Sequence, residues 1–283
     1  MNTRKAVFAG SWYPADADGC ERQIVQFLAE GQRKSSSGRV WVGGIVPHAG
    51  WYFSGSIACN VIHSLADDSG PDVILIFGTH LHTASPSLIM TQGRWETPFG
   101  PIEIEARLAN KLAEKFEFVK EEPGHYTQDN TIELQLPFIK YFFKNTKIVP
   151  IGVPPVKTAL EIGKAAVTDC EKLGLRVKVI GSTDLTHYGP NYGFTSKGGG
   201  ADAQAWVRDE NDRRIIDRMV SMDPEGVIQE AISNQNACCA GAAAAAIAAG
   251  KRMGAKRGEE VVYASSYDRQ PGDSFVGYVG MVF

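Results

Sequence analysis

The run VWVGGIVPHAGWYFSGSIACNVIHSLADDSGPDVILIFGTH, residues 40–80, carries the reading of the fold. It opens with an apolar, β-rich stretch at 40–46 and turns through glycines into a segment of helical spacing at 56–65. A second apolar run, VILIF, follows at 73–77. Strand, helix, strand is the unit from which parallel sheets are built. Downstream, short strand-like runs at 87–91 and 102–105 precede helical segments at 106–116 and 131–142. A strand at 147–153 is closed by Pro154 and Pro155, and a helix at 158–173 and a strand at 177–180 come next. The last third reads as helices at 203–222, 224–233 and 237–249, then strands at 260–265 and 275–283. The two closing strands, joined by the turn-rich DRQPGD, predict an antiparallel edge.

No low-complexity linker or fixed-period repeat interrupts the alternation, and the glycines at 198–200 read as a loop. The expectation is one domain over 1–283, a three-layer α/β/α sandwich around a mostly parallel or mixed sheet. Composition removes several classes of function. Lys and Arg number 29 against 32 Asp and Glu, a net charge of −3, so no field of one sign exists to hold nucleic acid. The opening residues lack the apolar core of a signal peptide, and no stretch reaches the roughly 18 apolar residues that cross a bilayer. A cytoplasmic protein without a membrane segment is expected. The five cysteines are odd in number and contain no CxxC pair, which favours free thiols over a disulfide framework. Neither GxGxxG nor GxxxxGK[ST] occurs as a strand-to-helix turn, so no phosphate cofactor is expected.

Three of the six histidines follow strand-like runs: His48 after GGIVP, His80 after VILIFGT and His187 after VKVIGSTDLT. Sites in open α/β sheets form beyond the carboxyl ends of the strands, so these three are expected to converge. Neutral imidazole is a common metal ligand and a proton carrier near neutral pH. Asp184, three residues before His187, is suited either to ligate or to orient an imidazole. Cys238 stands at the start of the alanine-rich helix, where the helix dipole favours a thiolate. The alanines themselves predict close packing of that helix.

Five motifs occur in order: VPHAGWYFSG at 46–55, FGTH at 77–80, IELQLPF at 132–138, STDLTHYG at 182–189 and NACCAG at 236–241. With the opening FAGSWYPAD they resemble the Memo family, whose prokaryotic members are also called AmmeMemoRadiSam system protein B. The resemblance spans nearly the whole chain. It implies a LigB-like fold, that of the class III extradiol dioxygenases, which are non-haem iron enzymes that open catechol rings. It also implies that His48, His80 and Cys238 hold one metal ion, Cys238 standing where the dioxygenases use a glutamate. Fe(II) or copper is favoured, and zinc is also compatible with a thiolate ligand.

By the same resemblance His187 is the acid/base group with Asp184 beside it. His82 and Cys239 stay open as alternatives to His80 and Cys238, and they join Trp51, Tyr52, Asn130 and Tyr188 as expected pocket residues. Two departures from the family pattern stand out. Asn130 occupies the place of a histidine, with His125 five positions earlier as a spatial substitute, and the usual Cys-Gly is Cys238-Cys239 here.

A metal-dependent oxidoreductase acting on a small molecule is one implied function. Recognition of a peptide or partner without turnover is a second, in keeping with eukaryotic relatives associated with receptor signalling and cell motility. Metal-assisted hydrolysis is a third. The prokaryotic family name implies AMMECR1-type and radical SAM proteins as partners.

Overall fold

The computed structural model describes residues 2–31, 40–67 and 70–283. Strand β1 (Thr3–Arg4) precedes helix α1 (Ala17–Glu30), which Asp16 caps by accepting the Gly19 N–H and which buries Cys20, Ile24 and Phe27 along one face. Strand β2 (Gly43–Val46) leads into one wide helical turn, Trp51–Gly55, and helix α2 (Ser56–Ser64); strand β3 (Val73–Gly78) follows. Four short strands come next: β4 (Ser87–Met90), β5 (Arg94–Trp95), β6 (Ile102–Glu103) and, after helix α3 (Ala106–Ala113), β7 (Phe118–Glu121).

The helix expected at 131–142 forms two pieces, α4 (Asn130–Glu133) and α5 (Leu136–Phe142). Pro137 lacks the N–H that would bond back to the Glu133 carbonyl, so the chain restarts there. Then come β8 (Lys147–Gly152), α6 (Lys157–Leu173), β9 (Val177–Ser182) and the two-residue β10 (His187–Tyr188). Helix α7 (Gly200–Trp206) begins inside the expected glycine loop and passes through a wide turn into α8 (Asp212–Val220). Helices α9 (Pro224–Asn234) and α10 (Ala240–Arg252), strand β11 (Glu259–Ser265), helix α11 (Ser266–Arg269) and strand β12 (Phe275–Val282) complete the chain.

The main sheet has nine strands in the order β10-β12-β2-β9-β3-β8-β4-β7, with β11 also paired to β12. The run β2, β9, β3, β8 is parallel, whereas β12 meets β2, and β4 meets β8, in antiparallel fashion. The sheet is therefore mixed. The antiparallel closing pair is present, but β12 lies inside the sheet rather than at its edge. It pairs with β2, β10 and β11, and all eight of its residues are buried.

On one face α2 packs against β2 and β12, with α1 and α5 behind it; on the other α10 packs against β9, β3 and β2, with α6 and α9 behind it. This is the expected three-layer sandwich. The alanine run lets α10 enter deeply: residues Ala240 to Gly250 are all buried. A Cβ on Gly163 of α6 would come within 2.3 Å of the Ala245 carbonyl oxygen, so the two helix backbones are in near contact.

Candidate metal centre

Register brings the parallel strands to a common edge. Val46 of β2 pairs with Ser182 of β9, and Phe77 of β3 pairs with Gly181, so the three strands end side by side. His48, His80 and the loop Thr183-Asp184 emerge there within two residues of one another along the strand axis. Thr79, immediately before His80, has φ 73, a conformation disfavoured for a β-branched residue, and is held in it by a bond from its N–H to Thr131 Oγ1 of 2.7 Å. The turn it makes directs His80 to the site.

Polar residues at the head of the IELQLPF segment and just before it tie the loops together. Glu133 accepts from Phe8 N–H at 2.7 Å and from the Tyr13 hydroxyl at 3.0 Å, which anchors the opening FAGSWYPAD segment. Gln135 Nε2 donates to the Pro47 carbonyl at 2.9 Å, and Asn130 Nδ2 donates to the His48 carbonyl at 2.8 Å. Both side chains therefore fix the backbone of the His48 turn.

Four side chains meet at this edge. One ligand atom from each of His48, His80, Cys238 and Cys239 can be chosen so that all lie within 4.8 Å of one another. His48 Nε2 is 3.3 Å from Cys238 Sγ. Its Nδ1 lies 3.0 Å from Ser182 Oγ, and because that hydroxyl donates to the Thr131 carbonyl at 2.8 Å it accepts from the Nδ1–H of His48. The Nε2 lone pair is left facing the cluster. His80 repeats the pattern, with Nδ1 2.9 Å from Asp129 Oδ2. Histidines whose far nitrogen is engaged in this way are oriented for a metal ion, and the donor set of two imidazoles and two thiols fits one.

The thiol pair arrives from the other face. Cys239 caps α10 and Cys238 precedes it, so the helix starts two residues later than Cys238 and three later than the expected 237. Cys238 N–H reaches the Asp184 carbonyl at 3.2 Å and Cys239 N–H reaches Thr183 Oγ1 at 3.1 Å, which pins the dipeptide to the loop after β9. A Cβ on Gly241 would come within 2.5 Å of the Val153 and Pro154 carbonyl oxygens, so only glycine lets the helix start this close to the end of β8.

The electrostatics favour a thiolate. Burial alone raises the Cys238 thiol, but the Cys239 thiol, His48 and His187 outweigh it and hold Cys238 well below the usual range. Burial raises Cys239, and the neighbouring Cys238 raises it further, so the proton of the pair resides on Cys239. For His80 burial acts downward, yet bonding to Asp129 and Cys238 prevails and lifts it to about 10. Asp184 is buried and raised by that burial; it accepts the His48 N–H at 2.7 Å and lies 3.9 Å from Nε2 of both His48 and His187.

A cleft of about 660 Å³ opens onto this edge. His48, His80, Asp184, His187, Asn130 and Tyr52 line it, as do Trp12, Tyr192 and Tyr278. Trp51 does not line the cleft. It is 2% exposed, stacks on Phe138 at 4.1 Å and donates to the Leu134 carbonyl. Tyr188 is likewise core, packed on Phe275. His82 sits outside the cluster, in a turn where its N–H meets Ser85 Oγ, and His125 is exposed in a turn with Glu122. Asp129 and Ser182 went unrecognised in the sequence, although each flanks a motif: Asp129 the IELQLPF segment and Ser182 the head of STDLTHYG.

Fold and site together define an α/β/α protein with a histidine and cysteine cluster at the carboxyl edge of its parallel strands. The chain belongs to the Memo-like protein family, which matches residues 4–282. It is 34% identical to a MEMO1 family protein of Pyrococcus furiosus, over 99% of this chain and 98% of that one. A MEMO1 family protein of Methanopyrus kandleri is also 34% identical, with the same coverage. An uncharacterized protein of Escherichia coli K12 has a related fold, with TM-score 0.51 and 11% identity over 85% of this chain and 98% of that chain. All five cysteines are free, and no helix among the described residues is long and apolar enough to cross a membrane.

Proposed function

We propose that this protein is a metal-dependent oxidoreductase of the dioxygenase-like type, acting on a small molecule bound in the cleft beside the cluster. The observation that carries the reading is the pair of histidines, each with its far nitrogen hydrogen-bonded and its near nitrogen turned toward Cys238. His48, His80 and Cys238 would hold the ion, iron or copper by analogy with the fold and zinc by donor chemistry. Such an ion supplies a Lewis acid and, for iron or copper, a one-electron couple.

The residues around it provide the remaining functions. His187 stands in the cleft wall with its side chain one-third exposed, and its buried Nε2 has no hydrogen-bond partner among the described residues, so in this reading it is the group that exchanges a proton with a bound molecule. Asp184 Oδ2, 3.9 Å from that nitrogen, places a carboxylate beside the ring of His187. Asn130 holds the His48 turn and presents an amide, which orients a substrate but carries no proton near neutral pH.

The test is metal analysis of protein purified anaerobically without a histidine tag, for the wild type and for His48→Ala, His80→Ala and Cys238→Ser. Near-stoichiometric metal in the wild type, lost in all three variants, is the expected result. Absence of metal after reconstitution with Fe(II), Cu(I) and Zn(II) sinks the reading. A second reading is favoured by the rim, where Trp12, Tyr52 and Tyr192 are 40%, 63% and 46% exposed. Aromatic groups left this open suit recognition of a peptide or partner. Binding unaffected by a chelator would support it.

A further inference from the structure

The geometry points to Cys239 as a fourth protein ligand, so that this chain builds a His2Cys2 metal site rather than a three-ligand one. The inference rests on the reading of His48, His80 and Cys238 as a metal site, and it assigns to the second thiol a role that a packed, inert cysteine lacks.

Distances carry the argument. In a tetrahedral site with metal–sulfur bonds of about 2.3 Å and metal–nitrogen bonds of about 2.0–2.1 Å, two sulfurs stand about 3.8 Å apart and a sulfur and a nitrogen about 3.6 Å apart. Here the sulfurs of Cys238 and Cys239 are 3.8 Å apart, and Cys238 Sγ is 3.3 Å from His48 Nε2. Every pair among the four donor atoms falls within 4.8 Å. Two of the six donor pairs thus match the spacing of a tetrahedral shell to within about 0.3 Å, and the remaining four lie within 4.8 Å, close enough for a bound ion to draw the set together.

Preorganisation is the second support. Adjacent cysteines commonly diverge, because neighbouring side chains leave the backbone in different directions. In this chain the dipeptide sits at the irregular entry to α10, with Cys239 at φ −129 and ψ 52, and both N–H groups are fixed to Thr183 and Asp184. That backbone turns the two sulfurs to the same side. Cys239 is 3% exposed, and its thiol meets Cys238 Sγ at 3.8 Å. With both thiolates on the ion, the set favours thiophilic ions over Fe(II), which within the oxidoreductase reading leaves copper.

Cobalt(II) reads the number of thiolates directly, through the intensity of its sulfur-to-metal charge-transfer absorption. Apoprotein of the wild type, Cys239→Ser, Cys239→Ala and Cys238→Ser would be titrated with Co(II) under anaerobic, reducing conditions, with circular dichroism to confirm folding. The wild type is expected to show tetrahedral d–d bands and a charge-transfer band. Both Cys239 variants should keep the fold while that band falls by about half, one thiolate of two being lost. Equal intensity in the wild type and the folded Cys239 variants overturns the fourth ligand and leaves the three-residue site standing. No cobalt binding by the wild type overturns both.

Discussion

Oδ2 of Asp129 receives two hydrogen bonds from one residue: Nδ1 of His80 at 2.9 Å and the backbone N–H of His80 at 3.1 Å. The carboxylate therefore fixes both the position and the ring orientation of His80. Its other oxygen caps α4 through the Thr131 N–H at 2.9 Å. Asp129→Asn keeps an acceptor for the cap but turns a donor toward Nδ1–H of His80. Metal affinity is expected to fall about 10–100-fold with little change in melting temperature, as measured by competition with a chromophoric chelator and by thermal denaturation. Unchanged affinity would show that His80 is oriented without Asp129.

Two neighbours in the sequence should behave in opposite ways. Trp51→Ala removes a core indole stacked on Phe138 and is expected to cost about 3–5 kcal/mol. Tyr52→Ala removes a ring that is 63% exposed and should stay within about 0.5 kcal/mol of the wild type. Denaturant unfolding of the two variants checks the assignment of one to the core and the other to the cleft rim.

Gly163→Ala places a methyl group against the Ala245 carbonyl oxygen. Backbone gives way less readily than a side chain, so the substitution should destabilise by about 1–3 kcal/mol despite the better helix propensity of alanine. A stabilised variant would mean that α6 and α10 separate without cost.

Asp212 gives a pH dependence of known sign. It is buried, and that burial pushes it up to about 7 from an ordinary value of 3.8, against the bonds it accepts from Thr186 and Tyr263. Between those values the unfolded chain releases the proton while the folded protein retains it. The unfolded state then binds fewer protons, so this group lowers stability as pH rises from about 4 to about 7. Asp212→Asn should flatten that part of the stability curve, the wild type losing more than the variant over the interval. Parallel curves from denaturant titrations at several pH values would refute the assignment.

Much of the architecture was legible because its signals are periodic. The β2, α2, β3 unit and the later strand and helix alternation follow from apolar runs, and the ends of those runs located His48, His80 and His187. What escaped notice had weak or competing signals. Strand β7 is four residues, FVKE, two of them exposed and two half-buried, in which two charges mask the alternation. Helix α1 has a capping Asp16 and apolar spacing, but WYP and a mid-segment glycine precede its apolar face. Trp51 and Tyr52 are both aromatic residues expected in the pocket, yet the wide turn at Trp51–Gly55 rotates Trp51 inward and leaves Tyr52 outside. Asp129 and Ser182 act on the histidines across 49 and 134 positions, and a spacing rule along the chain does not detect such pairs.

The burial of α10 on every side gives the two thiols an unusual foundation. A helix with no solvent-facing stripe has no small opening motion available to it, so its amide protons should exchange with deuterium only when the whole molecule unfolds. The other walls of the site are loops, whose backbone amides are expected to exchange sooner. Cys238 and Cys239 therefore stand at the foot of the element expected to open last, where it meets those expected to open first.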